Sequence, residues 1–62
     1  MNIDELRAFL RGLSDRAISE RLDLVQAQIP MAVREKRYDA LVRLQEHERL
    51  LIAERARRFD DV

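Results

Sequence analysis

Few side chains in this sequence have the type and spacing for covalent or proton-transfer chemistry. His47 stands between Glu46 and Glu48, with Arg43 and Leu51 one helical turn to either side. A histidine in that setting is a proton or metal group only if other ligands converge on it. The pattern around it is that of a solvated helix surface. Ser14 and Ser19 have no base within reach in the sequence, and Ser14 reads most simply as a helix cap. Cysteine is absent, so there is no thiolate nucleophile, disulfide or thiolate metal site. With a single glycine there is no phosphate-cradling loop. These absences point away from an enzyme and imply no cofactor, no metal and no small-molecule ligand. The remaining chemistry is that of recognition. Gln45, Glu48 and Arg55 project into an otherwise apolar helical face, where unpaired charge is costly. Cross-helix pairing that fixes register or partner is the simplest use for them.

The element that must position these residues is Met31 to Phe59. It holds no Gly, Pro or Ser and is rich in Ala, Leu, Glu and Arg. It reads as one helix, roughly 40 Å long at 1.5 Å per residue. At about 100° per residue, Tyr38, Leu41, Val42, Ile52, Ala56 and Phe59 share one side, flanked by Leu44 and Leu51. Asp39, Arg43, Glu46, Glu54 and Arg57 fall opposite, and Leu50 lies on that polar side. Tyr38, Leu41, Leu44, Glu48, Leu51, Ile52, Arg55 and Phe59 are therefore the expected assembly residues.

The first half carries two punctuation marks. Asn2 can cap a helix, with Glu5 three residues on as in a capping box. Ile3, Leu6, Leu10 and Leu13 share a face. Gly12 then ends or kinks that helix, and Ser14 or Asp15 can cap the next. Beyond Gly12 the stripe changes phase to Ile18, Leu22, Val25 and Ile29. Pro30 removes a backbone donor and places a boundary at residues 28–31. Asp60, Asp61 and Val62 are expected to fray. The expected fold is all-α in a single domain, residues 1–62. A helix over 3–28, broken near 12–14, turns at 28–31 and packs antiparallel on a helix over 31–59. Such a hairpin leaves an apolar face open, so a homodimeric four-helix bundle follows.

Sixty-two residues, 47% apolar and 39% charged, suit a small bundle or coiled coil rather than a disordered chain. A chain this short needs oligomerisation or tight helix packing for stability. Twelve basic residues balance twelve acidic ones, which argues against a strongly charge-driven nucleic-acid binder. The absence of an apolar run of spanning length, and of a signal peptide, gives the expectation of a soluble cytoplasmic protein away from membranes.

Residues 5–33 resemble a helix-turn-helix of the LuxR-type and sigma-factor region 4. Gly12, Leu13, Ser14, Ile18, Leu22 and Leu24 match that pattern, with Ser19 at the small-residue position. The resemblance implies a turn near Asp23–Val25 and DNA contacts from Arg16, Arg21, Gln26, Gln28 and Arg34. Asp23 replaces the turn glycine, Val25 replaces the capping serine, and Pro30 falls inside the recognition helix. Residues 38–52 resemble a helix of flagellar secretion chaperones of the FliT type, which implies a protein-binding role. The leading expectation is a non-enzymatic regulator, inhibitor or adaptor, self-associating, that binds a protein partner through an amphipathic helix face. A DNA-binding regulator with a C-terminal dimerisation helix is the alternative. An RNA-binding hairpin dimer like Rop is the third.

Overall fold

The computed structural model describes residues 2–60; of the residues expected to fray, Asp60 is still helical, and Asp61 and Val62 lie outside the described residues. Three helices follow in order: α1 (Ile3–Arg11), α2 (Asp15–Arg34) and α3 (Tyr38–Asp60). The starts of α1 and α2 are marked as the sequence implies. The Asn2 side chain accepts from the Glu5 amide at 2.8 Å, and the Ser14 hydroxyl accepts from the Ala17 amide at 3.1 Å. These side chains satisfy amides that have no partner inside the helix.

The break near Gly12 is a true interruption. Ser14 takes extended angles, φ −68° and ψ 163°, and turns the chain into α2. Gly12 itself stays right-handed at φ −80°. The turn therefore does not draw on glycine's freedom.

The second boundary differs from the expected one. α2 runs through Pro30 and ends at Arg34, so residues 31–34 belong to α2 and not to the long helix. Proline at this point deprives the Gln26 carbonyl of its donor. Both residues are exposed, so water can supply it. What ends α2 is Lys36, at φ 58°. The Arg37 amide donates back to the Ala32 carbonyl at 2.9 Å and the Lys36 amide to the Val33 carbonyl at 3.2 Å. That bond pair is a Schellman cap, with lysine in the left-handed position usually given to glycine.

α3 returns antiparallel to α2, and α1 lies along α3 from Arg43 to Arg57. Leu10, Ile18, Leu22, Val25 and Leu51 form the buried centre, with Leu6, Leu13, Ile29, Leu44 and Leu50 packed against it. Leu50, placed by the wheel on the polar side, is thus part of the core rim. The molecule measures 40 × 22 × 16 Å with a radius of gyration of 12.3 Å. A compact chain of this length would have a radius of roughly 10.5 Å. A thin slab of this kind covers only one side of α3. None of the described helices is long and apolar enough to cross a membrane.

Candidate interaction surface

The inward face of α3 is not the one the apolar stripe suggested. It is centred on His47, Leu51, Glu54 and Arg58, and Leu51 is completely buried. Glu54, placed by the wheel on the polar side, is only 8% exposed. Helical geometry alone could not choose between the faces, because α3 has two. α1 and α2 settle it by supplying partners for the charged one.

Arg58 is the centre of that arrangement, and sequence reasoning missed it. Its Nη1 donates to Asp15 at 2.7 Å and its Nε to Glu54 at 2.9 Å. Its Nη2 donates to the carbonyls of Leu10 at 3.0 Å and Leu13 at 2.7 Å, with Arg11 further off at 3.4 Å. Leu10 and Arg11 end α1, where carbonyls run out of helical amides, and Leu13 lies in the turn to α2; the Leu10 carbonyl also accepts from the Leu13 amide at 3.1 Å. One guanidinium thus caps α1, pairs with the first residue of α2 and anchors both on α3. Arg57 grips Glu54 in a fork, with Nη2 at 2.7 Å from Oε1 and Nε at 3.1 Å from Oε2. The hydrogen bonds from Arg57, then those from Arg58, outweigh desolvation and pull the Glu54 carboxyl from 4.5 down to about 2. Asp15 and Glu54 raise the Arg58 pKa further above its ordinary value. Glu54 with Arg58 at i+4 was the available signal in the sequence. The link to α1, more than forty residues away, was not.

His47 also faces inward, which corrects the surface reading. It is half-buried, and its Nε2 is buried without a hydrogen-bond partner. Desolvation, then the charge of Arg21, holds its pKa below 6.5. No group of three His, Cys, Asp or Glu side chains among the described residues is placed to hold a metal ion.

The expected assembly residues divide between the two faces. Leu51 and Leu44 are spent in the core, and Leu41 and Glu48 are half-buried at the border. Tyr38, Ile52 and Phe59 are exposed by 63%, 43% and 77%, joined by Val42 at 61%. Tyr38, Val42 and Ile52 lie on the side of α3 turned away from α1 and α2, with Gln45, Arg49 and Ala56 beside them, while Phe59 and Arg55 border a cleft lined by Asp15, Ile18 and Ser19 of α2. Arg55 is exposed at one edge. Neither Glu48 nor Arg55 has an ion pair among the described residues.

The residues expected to touch DNA do not converge. α2 is unbroken through Asp23–Val25, where the helix-turn-helix resemblance implies a turn. Val25 is buried against the core there instead of capping a helix. Arg16 pairs with Glu20 at 3.0 Å, and Arg21 stacks on Phe9 with its guanidinium 4.9 Å from the ring centre. Gln26, Gln28 and Arg34 are exposed. Arg16 and Arg34 sit on one helix about 27 Å apart along its axis, at 1.5 Å per residue. No protein-family model, curated protein or solved structure matches the chain.

Proposed function

We propose that the chain is a non-enzymatic interaction protein (a regulator, inhibitor or adaptor) that binds protein through the outer face of α3, self-association included. One observation carries the reading. α3 already satisfies the core with its charged inner face, yet its outer face still presents Tyr38, Val42, Ile52 and Phe59. Fully burying side chains of this size stabilises by about 1.5–3 kcal/mol each. A row of them at helical spacing is the helix-in-groove or helix-on-helix mode of recognition. The zero net charge and the scattered arginines of α2 favour protein over nucleic acid as the partner.

The test is a photoreactive phenylalanine analogue at Ile52, with a control at Ala27 on the exposed side of α2, irradiated in cells making the chain. The reading expects protein adducts, to another protein or to a second copy, from position 52 and none from position 27. Equal yields from both sites, or salt-dependent binding of random duplex DNA by the purified chain, would overturn it.

A further inference from the structure

We propose that the occupant of the outer face of α3 is α3 of a second copy, lying antiparallel and centred between Leu50 and Leu51. The inference rests on the protein-binding reading above and names the partner. Tyr38, Val42, Gln45, Arg49, Ile52, Ala56 and Phe59 recur at alternating steps of four and three residues. That is the a/d seam of a two-stranded coiled coil, carried on the face that α1 and α2 leave open.

Charge selects the arrangement. A parallel pair sets Arg49 against Arg49 of the second copy in the middle of the seam. An antiparallel pair centred on His47 sets Glu48 against Glu48 and Glu46 against Glu46. Like charges directly opposed are unfavourable in both cases. Moving the centre to between Leu50 and Leu51 separates the glutamate pairs and offsets Arg49 from Arg49 of the second copy by about 4.5 Å along the axis, so that they no longer oppose each other directly. Val42 then packs on Phe59 of the second copy, Gln45 on Ala56, and the Arg49 stem on Ile52, each contact made twice. Glu48 meets Arg55 of the second copy, also twice, and neither has an ion pair among the described residues. Of the remaining like-charge contacts, Asp39 with Asp60 of the second copy falls at the exposed ends, where water screens it, and the two Arg49 side chains are exposed and can turn their head groups to water.

The area is of the right size. A compact monomer of 7.4 kDa exposes roughly 4,200 Å². This chain exposes 4995 Å². The excess is of the size that each partner buries in a standard interface, roughly 800 Å², and it is shared with exposed apolar side chains of α2 such as Leu24, Met31 and Val33.

Sedimentation equilibrium of the whole chain, up to about 1 mM, tests the proposal, with circular dichroism to verify that each variant is folded. The wild-type chain is expected to dimerise. Glu48→Arg should weaken the dimer by about tenfold or more, and adding Arg55→Glu should restore it to within about threefold. Because the sequence has no cysteine, orientation can be read directly. The Gln45→Cys, Ala56→Cys double variant should cross-link through disulfides under mild oxidation. Gln45→Cys alone should not, since its two copies lie about 17 Å apart along the axis. A wild-type chain that stays monomeric overturns the proposal. So does a dimer in which Gln45→Cys alone cross-links, or in which Glu48→Arg changes nothing. The broader reading is judged separately: adducts from position 52 to a different protein would uphold it even if the chain is monomeric.

Discussion

At the scale of single residues, Arg58 and His47 make opposite demands. Arg58 needs its whole fork. Two of its nitrogens reach Asp15 and Glu54 while Nη2 holds the carbonyls of Leu10 at the end of α1 and Leu13 in the turn after it. Lysine keeps the charge but offers a point donor without that planar spread. Arg58→Lys should therefore lower the Tm by several degrees, and Arg58→Met should lower it further by leaving both the carbonyls and the Glu54 charge undercompensated. A full rescue of stability by lysine would show that charge alone, not the fork, is what α1 requires. His47 is destabilising when charged. Its pKa in the folded chain lies below the ordinary 6.5, so the unfolded chain binds the proton more readily. Its contribution is fully present above pH 6.5 and is lost as pH falls toward the folded value. Glu54 shifts in the same direction at lower pH: its contribution is present above 4.5 and lost as pH falls toward about 2. Acid should then unfold the chain in two phases. His47→Phe should abolish the upper one, which begins as pH falls below 6.5, while leaving the lower one in place, as followed by Tm against pH. An unchanged upper phase would mean that His47 stays hydrated in the folded chain.

At the scale of elements, the comparison of sequence with structure turns on Gly12, Pro30 and Lys36. The caps at Asn2 and Ser14 and the break between them were legible because capping depends on residues three apart in sequence. The end of α2 was not. Pro30 is the strongest local signal for a boundary, yet the buried Ala32 beyond it carries the helix onward against α3. The cap at Lys36 could not be read because lysine has no preference for left-handed angles. The inner face of α3 was hidden for a related reason. Periodicity marks Tyr38, Val42, Ile52 and Phe59 as the apolar side, but α1 and α2 dock on the side that holds the Glu54–Arg58 pair. Which face is inner depends on Asp15 and the carbonyls of α1, and no local pattern contains that information. These findings imply a substitution that sequence reasoning would oppose. Because Pro30 lies inside a helix, Pro30→Ala restores the missing donor and should stabilise the chain by about 1–3 kcal/mol. Chemical denaturation would measure it. A loss of stability would mean that Pro30 shapes the path of α2 toward Lys36.

At the scale of the whole molecule, the argument concerns how so small a chain is stable. Its buried centre is short, its long axis is 40 Å, and one side of its longest helix is uncovered. A three-helix slab of this size folds on a thin margin. Anything that binds the folded state and not the unfolded one adds to that margin by mass action, and a second copy does so in proportion to protein concentration. If the outer face of α3 is paired in this way, the Tm must depend on how much protein is present. Raising the concentration a hundredfold should raise the Tm by about 5–10 °C, since the pairing free energy is shared between two small chains. Ile52→Arg places a charge in the seam at a position outside the buried centre, as Ile52 is 43% exposed. It should flatten the concentration dependence and leave the Tm of the dilute chain nearly unchanged. A fall in Tm at every concentration would instead assign Ile52 to the fold of the single chain. A concentration-independent Tm in the wild type would leave the outer face of α3 to a different protein.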